Sequence, residues 1–125
     1  MTIKIFVYGT LMQGYGNHRL IKPYVTDLKA ATTQGKLFDL GAFPALKEGE
    51  DQVKGELIII DKAHQKEALE SMDILEGHPD FYRRELIKVK EINSGKNHQA
   101  WTYIYNSEIN DRSKLIPNGN WKEVD

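Results

Sequence analysis

The apolar positions along this chain recur mostly with the spacing of β-strands. Residues 2–8 are almost continuously apolar, which predicts a strand that is buried on both faces. Four further runs, at 33–39, 53–60, 81–92 and 99–105, are bounded by polar or glycine-containing segments and also predict strands. The segment 93–97 between the last two predicts a hairpin turn. Most of the chain is therefore expected to form a sheet.

One segment has the 3.6-residue period of a helix instead. Asp61 is a suitable N-cap, and the helix is predicted to run to Glu76 and to stop at Gly77. Apolar residues at Leu69, Met72 and Leu75 form one stripe along it, which predicts a face packed on the sheet.

The remaining segments predict less regular structure. Residues 18–24 favour a short helical turn that Pro23 interrupts. Residues 40–46 predict a turn and a short extended piece, and 47–51 predict a polar hairpin loop. The apolar group at 115–117 and Trp121 is expected to tie the C-terminal segment back onto the body. Together these elements predict an α+β fold, with five or six strands in a curved, largely antiparallel sheet that packs on one main helix. A length of 125 residues predicts one domain spanning 1–125.

Glu76 is the strongest candidate for chemistry. It follows Met72 by four residues and Leu69 by seven, so it lies on the buried stripe of the predicted helix. Burial disfavours the charged carboxylate, and so does the negative end of the helix dipole. Both effects raise the pKa of a carboxyl group toward the range in which it can move protons near neutral pH. The alternative reading is a glutamate whose carboxylate reaches the surface.

A second candidate lies at the end of the first strand. This strand leads directly into Gly9-Thr10-Leu11, a loop start at which backbone N–H groups are exposed. Such loops commonly bind anions or carbonyl oxygens.

These segments together resemble a known family. The segments that carry the resemblance are Tyr8-Gly9-Thr10-Leu11 with Gly14 and Asn17-His18, then 53–57, 73–77, Tyr82-Arg83-Arg84, and 118–121 near the C-terminus. In this order they look like the γ-glutamylcyclotransferase-like family, in its branch of γ-glutamylamine cyclotransferases and AIG2-like proteins. The resemblance implies that the sheet closes into a small, mixed, mostly antiparallel β-barrel with a pocket at one end.

The resemblance also implies an activity. In that family the α-amine of a γ-glutamyl compound attacks its own γ-amide, which releases 5-oxoproline and a free amine or amino acid without a cofactor. Glu76 is expected to be the general acid and base. Tyr8, Gly9, Thr10 and Leu11 are expected to bind substrate, with the backbone N–H groups of residues 9–11 as oxyanion donors, and Tyr82 to form a pocket wall. For Tyr8, Thr10 and Tyr82 a purely structural role stays open.

Composition limits the alternatives. Seventeen basic and eighteen acidic residues give a net charge of −1, which does not favour nucleic acid or an anionic membrane as a partner. The chain has no cysteine, so thiolate catalysis, disulfides and cysteine-ligated metal are excluded. The four histidines lack metal-ligand spacing, and no metal site is expected. With no apparent signal peptide or membrane span, the protein is expected to be cytoplasmic.

Two function classes other than an enzyme remain as alternatives. The first is a non-catalytic binding module, in which the same pocket holds a small amino-acid-like ligand. The second is a nucleic-acid-binding barrel, which the neutral charge and the lack of a basic and aromatic stripe disfavour. The identity of the γ-glutamyl substrate, the leaving amine and the oligomeric state stay open.

Overall fold

The computed structural model describes residues 2–9, 11–41, 43–109 and 114–121. Five strands carry most of the described chain: β1 Thr2–Val7, β2 Val25–Asp39, β3 Pro44–Asp61, β4 Tyr82–Glu91 and β5 Asn97–Tyr105. One α-helix, α1, spans Gln65–Glu76. Short 3₁₀ helices occupy Gly16–Leu20, Lys22–Tyr24 and Lys62–His64.

The five strands close into a barrel in the order β1-β3-β2-β4-β5. Every neighbouring pair is antiparallel except the closing pair, in which β1 runs parallel to β5 with Ile5 opposite Trp101. This confirms the predicted fold class, a small mixed barrel with one main helix. β1 is paired on both edges, with β3 and with β5, and its side chains Ile5 and Phe6 are fully buried.

The long β2–β3 hairpin corrects part of the sequence prediction. The segment 47–51, predicted as a hairpin loop, lies inside β3, and the turn is earlier, where the Leu40 N–H donates to the Phe43 carbonyl at 3.1 Å. Gly35 pairs with Asp51 while the next residue, Lys36, pairs with Lys47, so residues 48–50 form a bulge. Polar residues signalled a loop, but here they occupy the outward side of a bulged strand.

The helix forms where it was predicted, preceded by one 3₁₀ turn. The Asp61 carboxylate accepts from the Ala63 N–H at 3.5 Å and caps that turn. Gly77 ends α1 in the left-handed conformation, at φ 65°, as a C′ glycine does. Ala68 and Met72 are buried against the barrel, whereas Leu75, expected in the core, is 38% exposed. No helix in the described part of the chain is both long and apolar enough to cross a membrane.

The C-terminal segment packs onto the barrel, as predicted. Ile116 and Trp121 are buried, and the Ile116 N–H donates to the Leu37 carbonyl at 2.8 Å. Further along, the Gly119 carbonyl accepts from the Lys54 N–H at 2.7 Å. The segment thus braces the outer part of the β2–β3 hairpin.

Candidate active site

A cavity of about 490 Å³ opens at one end of the barrel. It is enclosed by the end of β1 and the loop after it, the β2–β3 turn, the C-terminus of α1, and the facing parts of β4 and β5. Its described lining residues are Phe6, Val7, Tyr8, Gly9, Leu11, Asn17, Phe43, Pro44, Ile74, Leu75, Glu76, Gly77, Phe81, Tyr82, Tyr103 and Tyr105. Five of the six residues predicted for the site are among them.

Glu76 supplies the one carboxyl group among these described lining residues. It is the last residue of α1, and the reversal at Gly77 leaves its side chain at the cavity rather than on a further helical turn. Burial raises the pKa of Glu76 to about 7. The carboxyl group is therefore populated in both protonation states near neutral pH, which proton transfer in both directions requires.

The loop after β1 reaches the cavity through Gly9 and Leu11. A side chain at residue 9 would not fit, because a Cβ there would lie 2.6 Å from Cγ of Pro44. The loop turns at once, with the Met12 N–H donating to the Gly9 carbonyl at 3.0 Å. The predicted site residue Thr10 lies outside the described residues.

Two buried side chains hold this loop from behind. The Glu56 carboxylate accepts from the Gln13 N–H at 2.7 Å. His18 Nδ1 lies 2.8 Å from the Leu11 carbonyl oxygen and donates to it, because that oxygen can only accept. Neither residue lines the cavity, so Glu56 and His18 shape the loop from outside the site.

Tyr8 and Tyr82 both line the cavity, and both hydroxyl protons are engaged. The Tyr8 hydroxyl donates to the Tyr103 carbonyl at 2.6 Å, and the Tyr82 hydroxyl to the Pro44 carbonyl at 2.8 Å. Burial, and secondarily the nearby Glu76 carboxylate, raises the pKa of both phenols, so they stay neutral. In this arrangement the two rings shape the cavity, and their hydroxyls have only acceptor capacity to spare.

A polar cluster lies beside the cavity. The Asp73 carboxylate accepts from the Tyr103 hydroxyl and from Arg84, each at 2.6 Å. The Arg84 guanidinium also lies over the Trp101 ring, 5.5 Å from its centroid. Arg83, on the alternate face of β4, pairs with Glu85 and Asn106 instead. Asp73 therefore contacts a wall residue without lining the cavity, and Arg83 stays outside it.

Sequence reasoning missed several lining residues. Asn17 lies in a segment that resembles the family but had no predicted role, and Tyr103 and Tyr105 were predicted only as part of the strand at 99–105. Phe43 and Pro44 lie where β2 turns into β3, within the predicted turn and short extended piece at 40–46, but no role in the site was predicted for them. Alternation along β5 could have flagged its tyrosines, but no local signal places the β2–β3 turn against Gly9.

No group of three or more histidine, aspartate or glutamate side chains in the described ranges is arranged to hold a metal ion. The cavity walls are mostly aromatic and aliphatic, with tyrosine hydroxyls, an amide and one carboxyl group as the polar side chains of the described lining. Fold and site together define a small β-barrel protein with a cavity of small-molecule size at one end, where Glu76 supplies the one carboxyl group of the described lining.

Comparison with known proteins identifies the family. The model of the family "Gamma-glutamyl cyclotransferase, AIG2-like" matches residues 5–123. The chain therefore belongs to the AIG2-like γ-glutamylcyclotransferase family.

Individual relatives agree with this assignment. A Vibrio cholerae protein, provisionally named a gamma-glutamylcyclotransferase, is 38% identical over 94% of this chain and 93% of its own. The gamma-L-glutamyl-butirosin B gamma-glutamyl cyclotransferase of Niallia circulans is 33% identical over 83% of this chain and 67% of its own. The crystal structure of a mouse AIG2-like protein superposes with a TM-score of 0.76 at 22% identity, covering 95% of this chain and 87% of that one, which supports the fold.

Proposed function

We propose that this protein is a cofactor-independent γ-glutamyl cyclotransferase in which Glu76 is the general acid and base. The observation that carries the proposal is the position of Glu76: one carboxyl group, with its pKa raised to about 7 by burial, at the wall of a cavity otherwise free of charged side chains among its described lining residues. A reaction that moves protons between two nitrogens needs such a group. Family membership agrees with the chemistry.

The reaction needs no nucleophile from the protein. The substrate's α-nitrogen forms a bond to its own γ-carbonyl carbon, and the bond from that carbon to the amide nitrogen breaks. Over the whole reaction the α-ammonium loses two protons as it becomes the lactam N–H. The leaving nitrogen gains two as it departs as an ammonium ion. Glu76 relays these protons and ends in its starting state.

The walls would contribute by orientation. A five-membered ring closes only when the glutamyl chain is folded so that the amine meets the carbonyl. Tyr8 and Tyr82, fixed by hydrogen bonds to backbone carbonyls, offer rigid surfaces for that folded shape. Backbone N–H groups of the loop at residues 9–11 are the proposed donors to the developing oxyanion. In other acyl-transfer enzymes one such donor is worth about 3–4 kcal/mol.

The test is 5-oxoproline release from a panel of γ-glutamyl amines and dipeptides, with Glu76→Gln beside the parent protein. Glu70→Gln is the matched control, because Glu70 lies exposed on the same helix. We expect release by the parent and the control, and a loss of about 100-fold or more in Glu76→Gln. Thermal unfolding of each variant reports whether it is folded.

Two results would contradict the proposal. Equal release by Glu76→Gln would remove this residue from the mechanism. Saturable binding of γ-glutamyl compounds without release from any of them would support the alternative, a binding module on the same fold.

A further inference from the structure

The mouth of the cavity carries an unusual concentration of exposed apolar side chains. Four of the large hydrophobic residues that are most exposed in the described chain line this cavity: Phe43 at 45%, Ile74 at 82%, Leu75 at 38% and Phe81 at 68% exposure. We call these four residues the apolar rim. Contiguous exposed apolar surface beside a pocket is typical of a binding site.

The apolar rim is attached to the same structural turn as Glu76. Ile74 and Leu75 directly precede it on α1. Phe81 lies against Gly77, since a Cβ added there would lie 2.7 Å from Cδ2 of the Phe81 ring. On the other side, Phe43 packs edge-on to the Tyr82 ring, with centroids 6.4 Å apart. A group held next to the Glu76 carboxyl and extending outward would therefore pass over these side chains.

Two basic side chains beside the cavity already donate hydrogen bonds to acceptors of the protein. Lys47 Nζ donates to the carbonyls of Tyr105 and Ser107, at 2.9 and 3.0 Å. Arg84 is bound to Asp73. Of the described lining residues, Glu76 alone has an acidic or basic side chain. A charged substituent lying over the rim would lose water without gaining a partner from these residues, which costs free energy.

We infer that the leaving amine of the substrate carries an uncharged apolar substituent, alkyl or aryl, which packs on the apolar rim. The inference rests on the proposed function, because the leaving nitrogen must receive its protons from Glu76 and so lies beside it. The substituent on that nitrogen then occupies the path over Ile74 and Phe81. These two side chains are assigned as specificity-determining residues.

The test compares three γ-L-glutamyl amides that are matched at the leaving nitrogen. In each amide the leaving nitrogen belongs to a primary amine and is attached to a CH₂ group, and the three amines are similar in length. Isopentylamine is apolar, 1,4-diaminobutane carries a distal cation, and 4-aminobutyrate carries a distal carboxylate. We expect kcat/KM for the isopentyl amide to exceed that for each charged amide about tenfold or more, the range that small apolar groups contribute in a fitted pocket.

Rim variants sharpen the comparison. Ile74→Asp places a carboxylate on the rim and is expected to lower kcat/KM for the isopentyl amide while raising it for the diaminobutane amide, narrowing their ratio about tenfold. Leu86→Asp is the matched control, because Leu86 is 49% exposed on β4 and does not line the cavity. The control is expected to keep the parent's ratio.

The possible failures are distinguishable. Release of 5-oxoproline from all three amides with equal kcat/KM, or a preference for a charged amide, would overturn this inference and leave the cyclotransferase standing. If Ile74→Asp keeps the parent's ratio of kcat/KM for the isopentyl and diaminobutane amides, the apolar rim does not determine specificity. No release from any γ-glutamyl compound would overturn the proposed function, and this inference with it.

Discussion

The hydroxyl of Tyr103 donates a hydrogen bond to the carboxylate of Asp73 at 2.6 Å. The backbone carbonyl of the same tyrosine accepts from the Tyr8 hydroxyl, also at 2.6 Å. One residue of β5 therefore connects the helix that carries Glu76 to the end of β1. Through this connection Tyr103 ties Tyr8 to the helix that carries Glu76.

Replacing Asp73 by alanine is expected to destabilise the protein by about 1–3 kcal/mol, because Arg84 and Tyr103 both lose their acceptor in a partly buried place. The same change should lower kcat/KM for cyclotransfer by displacing the walls of the cavity. Urea unfolding and 5-oxoproline release measure the two effects. Glu70→Ala, on the exposed side of the same helix, is the control. An Asp73→Ala protein as stable and active as that control would show that the cluster is dispensable.

The pH dependence of stability provides an independent test of the Glu76 environment. Burial raises the pKa of Glu76 from 4.5 to about 7, so the folded protein holds this proton more tightly than the unfolded chain does. The stabilisation that this proton provides is complete below about pH 4.5 and is lost as the pH rises through about 7. One pKa unit corresponds to about 1.4 kcal/mol, and with partial solvent access we expect a total of about 1–3 kcal/mol.

The parent and Glu76→Gln isolate this effect. Glutamine keeps the shape and does not titrate, so the stability of the variant relative to the parent should increase by about 1–3 kcal/mol between pH 4.5 and pH 8. Urea unfolding at several pH values provides the measurement, and other titrating groups cancel in the difference. If the difference in unfolding free energy between the two proteins does not change with pH, the pKa of Glu76 is that of an ordinary glutamate.

The rate of the proposed reaction should follow the same ionisation. Accepting a proton from the α-ammonium requires the Glu76 carboxylate, so kcat/KM is expected to rise with pH and to level off above an apparent pKa of about 7. Initial rates of 5-oxoproline release between pH 5 and pH 9 would show this rise. A profile that is flat between pH 5 and pH 7 would assign proton transfer to another group.

Gly55 is expected to tolerate no side chain. A Cβ there would lie 2.3 Å from the Val7 carbonyl oxygen, a backbone atom of the paired strand β1. Gly55→Ala should therefore destabilise the protein by about 1–3 kcal/mol or more, because the strands must move apart. Gly16→Ala is the control, since a Cβ at residue 16 meets no atom within 4 Å. Thermal or urea unfolding compares the two, and equal stability would contradict the close approach.

The parts of this protein that were predictable from sequence are those determined locally. A period of 3.6 residues, a capping aspartate and a terminal glycine defined the helix from Asp61 to Gly77, and with it the placement of Glu76. A glycine inside a strand, such as Gly55, is typical of a close approach by another backbone, and the pairing of β3 with β1 provides it. Glu76 follows the buried Met72 by four residues and lies partly buried at the cavity wall.

The parts that were not predictable depend on contacts between distant segments. The bulge at residues 48–50 is polar like a loop, and only its pairing with β2 shows that it belongs to a strand. Leu75 has the spacing of a core residue, but the barrel ends before it and leaves it at the mouth of the cavity. Pro44 contacts Gly9 although the two residues are 35 positions apart in the sequence. No local sequence pattern predicts that contact.

The parallel pairing of β1 with β5 has a consequence for how the pocket comes into being. During synthesis β1 emerges long before residue 101, its partner in β5, so the barrel cannot close until most of the described chain is available. Loop closure over such separations is entropically costly and slow. The cavity draws on both early and late segments, at Tyr8 and at Tyr105. A partly synthesised chain that ends before β5 therefore carries Glu76 but has no enclosed pocket to place it in.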